Sequence, residues 1–519
     1  MNRLFRSFFT VSSLTLLSRI LGFIRDVFIA KFLGSTVIAD AFFVAFRLPG
    51  FFRRVLAEGA YSAALIPVFS GIVIDSKNDH EAADFVENTM SFLLIVSVIL
   101  TIICFFGMPF IIQILAPGFT SNPIAFDLAV HFGKIIFPYI IFISLVEHFT
   151  SILNVHDRFA RGTLTSSILN ISFILSLFLL TPQLPSAGHA LSYAVLIGGL
   201  FQFILMYHGI LGFYRPRIKW PEIDKRMRKF FSLFLPGVVG SGVVQLNIII
   251  GTVIASLLPV GAISHIYYAD RINQLPLAIF GIAIGIVLLP SLSRAIKKNK
   301  QDEILSIQNK SIEFCFLISF PAAVGLYFLS KPIITILFER GEFLSNDTFY
   351  TSSVLSLFAL GLPAYILIKV LVTCFFARED TKTPLKISIV AVAINIILSL
   401  ILIQSMREMG IAIATSISAW VNMLLLYFVL KLRNKLILDK VFFSQAIKII
   451  ISSILMGVVC FYLNDLYFSD VNTLNTVRNT FNLLLVILVC KIIYIVMIFM
   501  LKVITIDELK KYIRKNDSQ

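Results

Sequence analysis

The first two apolar stretches of this chain carry charged side chains that such stretches normally exclude, among them Arg19, Arg25, Asp26, Asp40, Arg47, Arg53, Arg54 and Glu58. A charge inside a membrane span costs about 2.5–3.5 kcal/mol on insertion scales, so these groups are expected to face a wet interior and to mark function. Arg19 and Asp26 are seven residues apart, as are Asp40, Arg47 and Arg54, so each set falls on one helical face, and Glu58, four beyond Arg54, joins the second. Pro49-Gly50 gives that second helix a place to bend. Later in the chain stands Asp270-Arg271, with His265 a turn or two away. At 1.5 Å per residue, Arg19 lies roughly 16 Å and Arg271 roughly 13 Å into their stretches, both near mid-depth. A guanidinium is a rigid fork of donors that matches phosphate oxygens, so an arginine cluster drawn from two parts of the chain points to a polyanionic head group. Arg53 and Arg54 read equally well as internally paired or snorkelling side chains.

No catalytic set competes with that reading. His131, His148, His156 and His189 have no partner at metal-ligand spacing, and there is no glycine-rich phosphate loop. Neither a metal nor a cofactor is called for, and the motor is expected to be an ion gradient or the membrane potential rather than bound nucleotide. The five cysteines (Cys104, Cys315, Cys374, Cys460 and Cys490) lie in apolar stretches and read as small core residues. A net charge of +15 could suggest nucleic acid, but the basic residues sit in the gaps between apolar runs, where topology explains them better.

The elements that must position these charges are membrane helices. At 519 residues and 58% hydrophobic content, the chain has more apolar surface than a soluble globule could hide. Windows of about 20 residues place about fourteen transmembrane helices, near 8–33, 36–72, 84–112, 125–152, 162–181, 188–212, 230–257, 262–293, 305–338, 345–376, 384–404, 409–431, 441–463 and 479–502. Alternate gaps differ sharply in charge, with roughly 28 Lys/Arg in one set and about 3 in the other. The basic set includes both ends of the chain, so both termini are expected in the cytoplasm, and an even helix count requires the same.

The chain also resembles itself. Leu48-Pro49 recurs as Leu275-Pro276, Phe159-Ala160-Arg161 as Phe376-Ala377-Arg378, Asn170-Ile171 as Asn395-Ile396, and Gly188-x-Ala190 as Gly410-x-Ala412, all in the same order. Two parallel six-helix lobes follow, 1–220 and 221–440, facing each other across a central cavity, with 441–519 adding two C-terminal helices and a cytoplasmic tail. That is transporter architecture. The added pair reads either as a groove for a lipid tail or as ordinary helix packing.

Ser18-Arg19-Ile20-Leu21-Gly22-Phe23-x-Arg25-Asp26, Asp40-Ala41-Phe42-Phe43-Val44-Ala45-Phe46-Arg47-Leu48-Pro49 and Arg53-Arg54-x-x-Ala57-Glu58-Gly59-Ala60 resemble the bacterial lipid II flippase family (MurJ, also called MviN). So do Ala116-Pro117-Gly118-Phe119, Tyr267-Tyr268-Ala269-Asp270-Arg271, Phe338-Glu339-Arg340-Gly341 and Ala377-Arg378-x-Asp380-Thr381-Lys382-Thr383-Pro384. The resemblance implies a fourteen-helix fold of the multidrug/oligosaccharidyl-lipid/polysaccharide exporter superfamily. It implies transport of lipid II, the undecaprenyl-pyrophosphate-linked disaccharide pentapeptide, from the cytoplasmic to the periplasmic leaflet of the inner membrane for peptidoglycan synthesis. The family's essential cavity arginines would fall on Arg19, Arg25, Arg53 and Arg271 and its functional acids on Asp40 and Glu58; Asp26, Arg47, Arg54, Asp270 and Pro49 are secondary candidates. Its last two helices form a groove proposed for the polyprenyl tail. Some members bind sodium through carboxylates on helices 7, 11 and 12, where this chain offers neutral groups such as Gln245, Asn247, Asn395 and Asn422. Export of another lipid-linked oligosaccharide or of a cationic drug, and a polytopic glycosyltransferase, are the alternatives. A drug exporter would want acids in its cavity, and an enzyme a catalytic acid on an outward loop, where Asp127, Glu339, Glu342, Asp347, Glu408, Asp465 and Asp470 stand in no catalytic context.

Overall fold

The structure is a computed structural model that describes residues 2–54, 61–75, 79–468 and 476–503. It is nearly all helix, with no strand among the described residues. The chain divides into two compact units, the first running to Ser264 and taking in Gly341–Phe343, the second running from His265 to Arg340 and on from Leu344.

The first unit contains α1 (Asn2–Leu33), α2 (Val37–Phe52), α3 (Ser62–Asp75), α4 (Asp79–Phe106), α5 (Met108–Leu115), α6 (Pro123–Ile136), α7 (Tyr139–Val155), α8 (Phe159–Leu179), α9 (Ala187–Ile210) and α10 (Lys225–Ser256). Here α1 packs on α8, α8 on α9, α2 on α6 and α7 on α9, while α10 packs on α3 and so joins this unit. In the second are α11 (Ala262–Lys297, whose first turn precedes the division), α12 (Gln301–Phe338), α13 (Ser345–Ala359), α14 (Leu362–Phe376), α15 (Lys382–Met406), α16 (Glu408–Leu432), α17 (Lys440–Phe468) and α18 (Thr476–Met500). Within it α15 packs on α16, α14 on α16, and α12 on both α13 and α17.

Helix covers most of the described residues in each of the fourteen stretches read from the sequence, several of them as broken pairs. Gly107 separates α4 from α5, Phe137-Pro138 separates α6 from α7, and α13 meets α14 at a 41° bend. The second helix runs through Pro49-Gly50 to Phe52 and changes to a π-helical turn at Arg53 and Arg54. Nine helices among the described residues are long and apolar enough to cross a membrane, ten if the bent pair counts as one. The protein is therefore a multi-pass membrane protein.

Helical backbone satisfies its own polar groups, which lipid demands. Hydroxyls inside the helices follow the same rule by donating back one turn, as Thr89 does to Phe85 O (2.7 Å) and Thr101 to Ser97 O (2.7 Å). Large apolar side chains on α15 (Ile389, Ile397, Ile401) and on α17 and α18 (Ile454, Phe461, Leu484, Leu488) remain exposed, as faces meant for lipid should. The last two helices pack on α12 through Leu329, Met456, Val486 and Cys490, and the Tyr494 hydroxyl donates to Leu317 O at 2.7 Å.

Candidate substrate site and a buried charge cluster

In the first unit, Arg25 is buried where α1 meets α8. Its guanidinium makes an ion pair with Asp26 (Nη2 to Oδ1 2.6 Å, Nε to Oδ1 2.9 Å) and donates through Nη1 to Asn170 Oδ1 at 2.9 Å. The Asn170 amide in turn donates to Ser18 O at 3.0 Å, and the Phe173 ring lies 5.4 Å from the guanidinium carbon. Arg25 is thus held on every side by its own bundle. Arg19, six residues earlier on α1, is exposed. These two candidates differ in kind: Arg19 is exposed, whereas Arg25 is built into a helix contact.

Asp40 is buried in the first turn of α2, a position started by Thr36, whose hydroxyl accepts from Ala39 N. Its carboxylate accepts three hydrogen bonds: from Gly261 N (2.7 Å), Ser264 N (2.9 Å) and Ser264 Oγ (2.6 Å). Two of those donors are backbone N–H groups where α11 begins and the third is the Ser264 hydroxyl, so Asp40 caps a helix that starts 222 residues later in the chain, at Ala262. Arg47 and Arg53 are half-buried and Arg54 exposed. Pro49 is buried inside α2, and Glu58 lies outside the described residues.

In the second unit, Arg271 is half-buried, with Nη2 donating to the Tyr267 hydroxyl at 3.0 Å and the guanidinium 4.7 Å from that ring. Asp270 beside it accepts from the Gln274 amide. A turn before stands a cluster that the sequence reading left unassembled. His265, buried, bonds Glu408 (Nδ1 to Oε1 2.9 Å) and lies 3.4 Å from Asp347 Oδ1 through Nε2. Its ring stacks on Tyr350 (centroids 5.4 Å apart), over which the Arg407 guanidinium also sits at 4.7 Å. Glu408 reads from the sequence as a residue of an outward gap; the structure makes it the first residue of α16 with its side chain wholly buried. The polar stretch Arg407-Glu408 just before Gly410-x-Ala412 was its only signal in the sequence, because burial there depends on α11 and α13 arriving from elsewhere.

Several of the motifs quoted from the sequence hold turns and helix starts in place. A Cβ on Gly118 would stand 1.9 Å from Ser256 O, and its N–H donates to Ser256 Oγ at 3.2 Å, so only glycine lets this turn approach α10. Gly341 has φ +64°, and the next residue, Glu342, donates its N–H to Lys31 O at 2.9 Å. In the gap before α15, the Asp380 carboxylate accepts from Thr383 N (3.0 Å) and Thr383 Oγ1 (2.7 Å) and pairs with Arg433 (2.8 Å). The Thr383 backbone and hydroxyl, with Arg433 adding to them, hold its carboxyl down at about 2. His148 is buried against the Tyr61 hydroxyl at 2.7 Å, and Asn170 was visible only as a repeat match. Among the described residues no group of three His, Cys, Asp or Glu side chains could hold a metal ion.

Long apolar helices, helix breaks and buried ionic groups define a polytopic helical membrane fold. A multidrug resistance MATE family transporter of the MOP superfamily, in an inward-facing conformation, shares that fold with a TM-score of 0.64 at 14% identity over 82% of this chain and 97% of its own. The chain belongs to the MurJ family: the family model described as "Lipid II flippase MurJ" matches residues 29–481. A solved "Lipid II flippase MurJ, inward closed conformation" is 30% identical with a TM-score of 0.77, covering 93% of this chain and 98% of its own. A Rhizobium tropici protein named "Probable lipid II flippase MurJ" is 38% identical over 472 residues, 89% of this chain and 87% of that protein. The "Lipid II flippase MurJ" of Burkholderia cenocepacia is 33% identical over 441 residues, 83% and 84% of the two chains.

Proposed function

We propose that this protein is a flippase, not an enzyme, that moves lipid II from the cytoplasmic to the periplasmic leaflet of the inner membrane by alternating access. The family match over residues 29–481 is the observation that carries this reading. On it the chain has fourteen spans and cytoplasmic termini, two repeated lobes over 1–220 and 221–440, and a C-terminal pair of helices that takes the polyprenyl tail. Arg19, an exposed residue, and Arg53 bind pyrophosphate oxygens, Arg271 is a further pyrophosphate ligand on the family's pattern, and Arg25 holds α1 in register against α8. The tail stays in lipid, so the charged head group alone needs a wet path. Carrying an anion outward across the potential is worth about 2.3 kcal/mol per charge per 100 mV, enough to set the direction without a nucleotide or another cofactor.

Depletion of the protein in growing cells tests this, with the accessible lipid II measured on each leaflet. Lipid II should accumulate in the inner leaflet within the depletion period and return outward on re-expression. Normal outward exposure of lipid II together with retention of a different lipid-linked glycan would transfer the function to that substrate.

A further inference from the structure

The cluster around His265 is not used by a pyrophosphate site. Glu408 has a side chain with 0% exposure, His265 4% and Asp347 16%, so the three form a chain of rising access from a sealed carboxylate toward the outside of the second unit. Glu408 Oε1 is bonded to His265, but Oε2 has no hydrogen bond, and neither does the Arg407 Nε that lies 3.4 Å from it. A carboxylate oxygen sealed from water and held by a 3.4 Å ion pair rather than by a hydrogen bond has an acceptor site open to a proton. The backbone at Arg407 is held at φ +50°, a conformation that a non-glycine residue adopts only under constraint from its surroundings.

The groups facing the pair are Asp347 and Tyr350 from α13 and Arg407 from the corner between α15 and α16. With a neutral imidazole, the two carboxylates and one guanidinium leave a formal charge of −1, which a single added proton cancels. A metal cation would fit poorly, because a hard cation wants six or so oxygen ligands, and here an imidazole and a guanidinium flank the only open carboxylate oxygen. A proton needs one lone pair.

We infer that Glu408, with His265 and Asp347 as its relay, is a proton-binding site of the transport cycle. A proton taken from water by the Asp347 carboxylate passes to His265 Nε2, while the proton on Nδ1 passes to Glu408 Oε1. The imidazole changes tautomer, Asp347 returns to carboxylate, and the net result is one proton moved from outside water to the sealed site. The consequence reaches α11 directly, since His265 follows Ser264, whose N–H and hydroxyl hold Asp40. Protonation of Glu408 also releases Arg407 from its charge.

This inference rests on the transport reading above, so the experiment has one arm that needs no lipid II. In that arm, full-length protein in detergent is acidified from about pH 8 to 5, and carboxyl protonation is followed by infrared difference spectroscopy. The wild-type protein should gain a protonated-carboxyl band that Glu408→Gln lacks; identical spectra would overturn the proposal. In the second arm, the protein is placed in liposomes containing lipid II, with the membrane potential clamped at zero and a gradient of about one pH unit imposed. One proton carried per lipid biases the leaflet distribution about tenfold per pH unit. The ratio of distributions with and without the gradient should fall to about one in Glu408→Gln and toward one in Asp347→Asn. A ratio unchanged in both variants would overturn the proposal. If the wild-type protein moves no lipid II but the infrared band still separates it from Glu408→Gln, the substrate assignment fails and the proton site stands.

Discussion

Replacing Asp40 separates a structural from a substrate-binding role. Its carboxylate meets two backbone N–H groups and one hydroxyl at the start of α11, all buried. Asp40→Ala leaves the two N–H groups without an acceptor at about 1–3 kcal/mol each, for a loss of about 2–6 kcal/mol. Asp40→Asn keeps the shape but not the chemistry. Gly261 N approaches one oxygen and the Ser264 donors the other, so whichever way the amide is turned, its NH2 meets a donor. The isostere should therefore recover little of the loss, whereas Ser264→Ala, which removes only the hydroxyl bond, should cost about 1 kcal/mol. The assay is the melting temperature of purified protein in detergent, read by the aggregation onset and by monodispersity after heating. Both Asp40 variants should melt several degrees below wild type, with Ser264→Ala between. If Asp40→Asn and Asp40→Ala melt like wild type while the cells that depend on them die, then the cap is not what Asp40 provides and a direct role toward substrate is correct.

The two arginines of α1 should part company. Arg25→Ala removes an ion pair and a buried hydrogen bond to Asn170 and is expected to cost about 3 kcal/mol with a visible fall in membrane abundance, whereas Arg19→Ala should leave abundance near normal and abolish complementation. Lysine should rescue Arg19 poorly if its contact is bidentate. Cysteine introduced at Ser121 or Asn346, both exposed, should react with impermeant thiol reagents from outside intact cells, and cysteine at Lys219 or Lys298 should not; the buried native cysteines should stay silent, and labelling at Lys219 would invert the topology. Exchanging sodium for another monovalent cation should leave lipid II exposure nearly unchanged, while collapsing the membrane potential should slow it; a steep sodium dependence at constant potential would mean that amide oxygens such as that of Asn395, which now accepts from Thr415 at 3.5 Å, bind the ion instead.

Fourteen apolar runs and the alternation of basic gaps are local properties of the chain, because a span is decided by some twenty consecutive residues meeting lipid and orientation by the charges beside them. For that reason the helices could be placed from the sequence. The breaks within them were legible at Pro49-Gly50 only as an option, and there the helix ran on into a π turn instead. Charge types were legible too: arginine and carboxylate in an apolar run announce a buried polar site wherever they occur. What no window of sequence contains is the partner. Arg25 finds Asn170 at a separation of 145 residues, His265 finds Glu408 at 143, and Asp40 finds Ser264 at 224. Spacing along one helix placed Arg19 with Asp26, yet Arg19 is left exposed and Asp26 is clasped to its own neighbour Arg25. A carboxylate in a short polar gap looks solvated until two other helices close over it, which is how Glu408 came to be the most buried acid near α11 rather than a loop residue. The amino-acid sequence determined which segments enter the membrane and that some must carry charge there; the tertiary structure decided which of those charges neutralise one another, because a hydrogen bond of 3 Å depends on helices that meet only after the chain has folded.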